Sequence, residues 1–367
     1  MINFEQPLIT FLRSVNHNQT GQFVYNVEFT ELLIRQARRA NLLARVAFLL
    51  KELELFHKLP KKGRDHLQNA LTVALANERS VNVEIREIYK LLSRQRVPII
   101  ILKGSAYIWA SKSASKGRVF ADVDIMVLKK DIDLAEKIFA QHGWLPSKAF
   151  DCYYQKYYRT WMHEIPPLKH KRRGTELDVH HTIIPPTSKL KPDPNEFWTE
   201  AQLISEFPGL MVLSSVDMIL HSATHLFHEG EFDNGLRDIS DLDLLLSETM
   251  ENDADWEGLI KRAKKLGLCR PLFYALRYTS IFLKTPVPEK IIRKINCYSP
   301  GFLGERIMDC LMLRALMPNH SSCDDLWTGL ARWLLYIRSH WLRMPLYLLV
   351  PHLLRKSWMR LTGKSLD

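Results

Sequence analysis

The sequence lacks the devices on which several familiar protein classes depend. Its five cysteines, Cys152, Cys269, Cys297, Cys310 and Cys323, stand far apart with no Cys-x-x-Cys among them. That spacing excludes a zinc ribbon and a disulfide framework, and it reads as reduced thiols in a cytosolic protein. No stretch reaches the roughly eighteen uninterrupted apolar residues of a membrane-spanning helix. The opening "MINFEQPLITFLRSVNHNQTG" carries an early glutamate and no long apolar core, so no secretory signal is expected. Loops of the G-x-G-x-x-G and G-x-x-x-x-G-K-[ST] kinds are missing, as are an H-E-x-x-H pair and a serine or cysteine in a nucleophile motif. Rossmann-type dinucleotide binding, P-loop chemistry, zincin proteolysis and covalent acyl transfer therefore find no support.

What is present is an ordinary folded composition. The chain has 367 residues, 46% hydrophobic and 25% charged, enough for two domains and a substantial core. A net charge of +11 points to polyanionic partners such as nucleotides, nucleic acid or anionic lipid without choosing among them. No nucleic-acid recognition motif accompanies the charge.

Residues 29–95 read as helices. "FTELLIRQARRANLLARVAFLLKEL" and "DHLQNALTVALANERSVNVEIREIYKLLSRQ" repeat apolar residues three and four apart and contain neither Gly nor Pro. At "VPIIILKG" the period changes to that of a buried strand entering a turn. "SAYIWASKSA" reads as a short helix and "VFADVDIMVL" as a strand. "DIDLAEKIFAQHG" reads as a helix capped by Asp131 and stopped at Gly143. Two more strands are expected in "YYQKYYRTWMHEI" and "TELDVHHTII", joined through "KHKRRG" as a hairpin. "PPTSKLKPDPNEF" reads as a linker, and from about Glu196 onward the pattern is helical. The expected architecture is α+β. A small mixed-sheet domain over 96–186 is flanked by an N-terminal helical region (1–95), a helical domain (187–327) and a basic aromatic C-terminal segment (328–367).

The chemistry gathers on two strands. Strand residues two apart share a face, so Asp122 and Asp124 point one way, as do Glu176, Asp178 and His180. If the strands are neighbours, three carboxylates converge. Such a cluster repels itself unless a hard divalent cation, Mg²⁺ or Mn²⁺, takes carboxylate and phosphate oxygens together. Lys103-Gly104-Ser105 lies between a strand and a helix start, where backbone N–H groups attract phosphate. Lys103 and Arg118 are cations that could face a triphosphate.

Strand, Gly-Ser turn, helix, D-x-D strand and later acidic strand together resemble the polymerase-beta-like nucleotidyltransferase superfamily. More closely, the chain resembles the bacterial uncharacterised nucleotidyltransferase family. The residues that carry this are "ILKG" at 101–104, Arg118 followed by "ADVDIMV", "HGW" at 142–144 and "LDVHH" at 177–181. "VLSSVDMILHSATHLFHE" and "LRDISDLDLLL" extend it into the helical region. The resemblance implies metal binding by Asp122 and Asp124, a third acid at Asp178 that activates the acceptor, and phosphate contacts from Gly104 and Ser105. In one respect the chain departs from the superfamily pattern: sixteen residues separate Ser105 from Asp122, and "SKSASKG" makes that insert polar and flexible.

Other residues have two readings each. His180 shares the acidic face and could orient acceptor or phosphate, whereas His181 packs below. His221, His225 and His228 read as packing histidines or as zinc ligands lacking an evident third partner. Arg237 and Asp241 read as an ion-paired helix start or as contacts to nucleotide or acceptor. "KHKRR" reads as a solvated hairpin tip or as a contact for an anionic acceptor. "LARWLLYIRSHWLRMPLYLLVPHLLRKSWMRLTGKS" has no acid and interleaves arginines with tryptophan and leucine. It reads as an interfacial amphipathic element on an anionic membrane or as packed terminal helices.

The expectation that follows is a cytoplasmic, metal-dependent nucleotidyltransferase, on the inner membrane surface if the C-terminal segment binds lipid. It would move NMP from an NTP, ATP included, to an unidentified acceptor. A non-catalytic nucleotide- or partner-binding protein of the same fold, and a peripheral membrane component of an envelope-polysaccharide pathway, stay open beside it.

Overall fold

A computed structural model describes residues 6–16, 26–147, 152–230 and 232–361. Parts of the expected N-terminal region (1–5, 17–25) and of the C-terminal segment (362–367) lie outside the described residues.

The chain opens with α1 (Pro7–Asn16), α2 (Val27–Arg39), α3 (Leu43–Glu52) and the long α4 (Lys61–Ser93). Strand β1 (Ile99–Ile101) and helix α5 (Lys103–Trp109) lead to β2 (Asp122–Met126), α6 (Ile132–Gln141), β3 (Trp144–Pro146) and α7 (Cys152–Trp161). Next come β4 (Leu168–His170), β5 (Glu176–His180), α8 (Pro194–Glu200), β6 (Gln202–Leu203) and β7 (Leu210–Val212). The remainder is helical: α9 (Ser215–Thr224), α10 (Gly235–Thr249), α11 (Asp253–Leu266), α12 (Cys269–Leu283) and α13 (Glu289–Ile295). After them come α14 (Phe302–Ala315), α15 (Thr328–Arg343) and α16 (Leu346–Leu361). The architecture is α+β with helical flanks.

Local chemistry explains several boundaries. Asn26 caps α2 by accepting from Phe29 N, and Asn252 with Asp255 forms a capping box on α11. The helical run expected over 29–53 is broken at Asn41, whose φ of +53° is a left-handed step that asparagine tolerates better than most residues.

The chain divides into two compact units. One comprises Met1–Val83, Lys103–Phe120 and Ser215–Leu335; the other comprises Glu84–Leu102, Ala121–Ser214 and Tyr336–Asp367. The first is helical, and its core includes Ile219, Leu220, Leu242, Leu245, Leu272 and Tyr278, all fully buried. The second contains a seven-stranded mixed sheet in the order β3-β4-β5-β2-β1-β7-β6. Pairs β2/β5 and β1/β7 are parallel and the others antiparallel.

Three expectations need correction. "YYQKYYRTW" is helix α7, not a strand. Its aromatic residues repeat at helical spacing, so Tyr157 meets Trp161 four residues on, ring centroids 5.9 Å apart. The hairpin through "KHKRRG" exists, but its first strand is β4. Chain after the expected linker is not purely helical either: β6 and β7 return to the sheet, and β7 pairs with β1. Both are too short for period-2 patterning to emerge.

Candidate functional site

β2 and β5 run parallel and in register, with Asp122 opposite Glu176, Asp124 opposite Asp178 and Met126 opposite His180. Alternation sets the acids and His180 on one face, while Val123, Ile125, Leu177 and Val179 are fully buried on the other. Those apolar residues anchor both strands, so the acids project from a rigid base. Ligand atoms of Asp124, Asp178 and His180 all lie within 4.8 Å of one another. Asp124 is 2% exposed, and its Oδ1 is 3.0 Å from His180 Nε2. Asp122 is half-buried on the same strand face, outside that three-residue group.

Opposed carboxylates repel each other, and a bound cation relieves that repulsion. The group of Asp124, Asp178 and His180, with Asp122 along the strand, could hold a metal ion.

The residues expected on the phosphate side lie in the other unit. Lys103 opens α5 at a φ of +47°. Ser105 is 1% exposed, and its Oγ makes no hydrogen bond among the described residues. Gly104 has a steric reason to be glycine, since a Cβ there would come 2.7 Å from Arg118 Nε and 2.9 Å from Phe120 Cδ1. Arg118, its side chain 11% exposed, lies near two aromatic rings, its Cζ 5.7 Å from the Tyr107 centroid and 5.8 Å from that of Phe120.

Arg118 also pairs with Asp241, which is 2.7 Å from Arg45 Nη1. Arg237 pairs with Asp238 at 2.8 Å. Burial first, then the charge of Arg237, pushes the Arg118 guanidinium down to about 9 and that of Arg45 to about 10. Arg118, Arg237 and Asp241 thus belong to one buried ion-paired cluster. The polar insert "SKSASKG", expected to be flexible, is ordered by the same cluster. Arg45 donates to Ala114 O and Lys116 O, and a Cβ on Gly117 would collide with the Arg45 backbone at 2.5 Å.

Two residues near the acids escaped sequence reasoning. His163 and Glu164 lie beside β5: Ile165 N donates to Val179 O and His181 N to His163 O. His163, Glu164 and His180 form a second group with ligand atoms within 4.8 Å. Their only signal was an adjacent His-Glu pair inside a segment read as strand. Burial, followed by the charge of Lys129, lowers the His181 pKa. His221, His225 and His228 form no three-ligand group among the described residues.

A family model described as uncharacterised nucleotidyltransferase matches residues 28–284. No curated protein matches the chain.

Proposed function

The chain belongs to the uncharacterised nucleotidyltransferase family, and on that premise we propose that it transfers NMP from a nucleoside triphosphate to an acceptor, releasing pyrophosphate. The observation that carries the reading is the register of β2 and β5, which sets Asp124 opposite Asp178. Asp122, Asp124 and Asp178 are the residues that would hold a divalent cation. When bound, Mg²⁺ or Mn²⁺ supplies positive charge that stabilises the phosphoryl oxygens during in-line displacement.

The chain's own groups do the positioning. Asp178 orients the acceptor hydroxyl and draws its proton. His180, held by Asp124, fixes that carboxylate. Lys103, Gly104 and Ser105 bind the phosphates, and Arg118 packs against Gly104 to hold the turn. A nucleoside triphosphate is a cytoplasmic substrate, so the proposal locates the reaction there.

One test is incubation of the protein with each α-³²P NTP, Mg²⁺ or Mn²⁺ and cell extract. Label transfer that disappears in Asp124→Ala is expected. No transfer and no pyrophosphate release with any nucleotide would oppose the reading.

A second element concerns place. Trp333, Trp341, Tyr347, Val350 and Trp358 of the C-terminal helices are 57%, 46%, 75%, 53% and 57% exposed, in a stretch free of acids. No helix among the described residues is long and apolar enough to cross a membrane. Exposed aromatics among cations instead suit an anionic bilayer surface, and the proposal includes that attachment.

A further inference from the structure

We propose that His163, Glu164 and His180 form a second cation site for a borderline transition ion of the zinc class, adjacent to the carboxylate site of Asp122, Asp124 and Asp178 and joined to it through His180. The site goes beyond nucleotidyl transfer and does not depend on it.

The backbone assembles the three residues. Glu164 forms an antiparallel bridge with His180, and residues opposed in this way project side by side. The hydrogen bonds from Ile165 N to Val179 O (3.1 Å) and from His181 N to His163 O (2.8 Å) fix that alignment. The His163 and His180 rings lie 5.1 Å apart, tilted by 38°, so they converge rather than stack flat.

The distances suit one shared ion. Glu164 Oε2 is 3.5 Å from His180 Nδ1 and 3.8 Å from His163 Nε2. A tetrahedral zinc ion with bonds of about 2.0–2.1 Å separates its ligands by about 3.3–3.4 Å. The two Glu164 separations are within a few tenths of an ångström of that spacing, and all three ligand atoms lie within 4.8 Å of one another. Two imidazoles and one carboxylate are a donor set that zinc accepts and magnesium, which favours six oxygens, does not.

His180 is already oriented for this. A carboxylate oxygen can only accept, so the 3.0 Å contact with Asp124 places the hydrogen on Nε2 and leaves the Nδ1 lone pair facing Glu164. A carboxylate accepting from one ring nitrogen while the other binds metal is the usual way a ligating histidine is held. The competing arrangement is a doubly protonated His180 between two acids. Only the metal site also calls on His163, so the His163→Asn variant distinguishes the two arrangements. The Glu164 side chain is 13% exposed, which gives the ion a way in.

The test uses the full chain, stripped with chelator and then titrated with Zn²⁺ against a chromophoric chelator in millimolar Mg²⁺. Wild type is expected to retain about one Zn²⁺ equivalent. Glu164→Gln and His163→Asn should each lose it, with circular dichroism confirming that both remain folded. Asp178→Asn should keep it, and Asp124→Asn should weaken it by about 10–100-fold, as loss of an outer partner does. Zinc retained undiminished in both Glu164→Gln and His163→Asn, or no retention by wild type, would overturn the proposal. If Glu164→Gln and His163→Asn both unfold, zinc K-edge absorption of wild type decides: two imidazole ligands are expected, and fewer would refute the site. Label transfer is measured separately, so failure of the zinc site and failure of the nucleotidyl-transfer reading are distinguishable.

Discussion

Asp124 on β2 stands directly opposite Asp178 on β5, two acids at equivalent positions of a parallel strand pair. With no counter-ion that relationship is repulsive, and a divalent ion removes the repulsion. Mg²⁺ or Mn²⁺ should therefore raise the thermal midpoint of the wild type, by up to about 2.7 kcal/mol of stability at a hundredfold excess over Kd. Asp124→Asn with Asp178→Asn should abolish the rise. Calorimetry with and without metal checks this, and an equal shift in the double variant would refute it.

Asp241 holds two buried guanidiniums, Arg45 and Arg118. Asp241→Asn leaves both cations short of a counter-charge in a buried setting. Removing one partner of a buried pair typically costs about 3–5 kcal/mol. Urea unfolding should show a loss of that size, and a change below about 1 kcal/mol would mean the cluster is not held by charge.

Gly104→Ala tests the close approach of Arg118 and Phe120. The added methyl meets atoms at 2.7 and 2.9 Å, and overpacking of this kind costs about 1–3 kcal/mol. A lowered unfolding midpoint is expected. Unchanged stability would show that the turn is glycine for another reason.

His170 gives the structure an acid sensitivity. Burial, then the neighbouring Arg173, lowers its pKa, and its Nδ1 accepts from Arg172 N and Arg173 N at 3.3 and 3.1 Å. The unfolded chain therefore takes up a proton near the ordinary histidine value of about 6.5 while the folded chain resists it. Stability contributed by neutral His170 is full above that value and declines as pH falls below it. His170→Gln should lose less stability than wild type between pH 7.5 and 5.5 in urea melts. Identical slopes would count against it.

Vesicle flotation addresses the C-terminal helices. Full-length protein should float with anionic liposomes and not with neutral ones, and Trp333→Ser with Trp341→Ser should weaken recovery at least severalfold. Equal recovery of both proteins would end the membrane proposal.

How much of this was legible depended on the length of each signal. Strands β2 and β5 could be read because charged and apolar residues alternate over five positions, and alternation alone put Asp124, Asp178 and His180 on one face. Their pairing was a conditional inference that the register now fills in. Helix α7 was misread because β-prone tyrosines dominate its composition, whereas its aromatic contacts, Tyr157 to Trp161, follow helical i, i+4 spacing. Strands β6 and β7, at two and three residues, are too short to carry any period. The order of "SKSASKG" was invisible because its anchor, Arg45, lies far away in sequence. The His163–Glu164 pair was hidden for the same reason, since its partner His180 meets it only through the sheet.

The pairing of β1 with β7 has a temporal consequence. Ile99 waits for Leu210, more than one hundred residues later in the chain. At ribosomal speeds of about 5–20 residues per second, that is a delay on the order of 5–20 s. Through that interval three consecutive isoleucines present an unpaired edge, the kind of template on which nascent chains stick to one another. The short β6–β7 return, unremarkable in the finished molecule, closes that window. Chains truncated before residue 210 should be the ones that aggregate and call on chaperones.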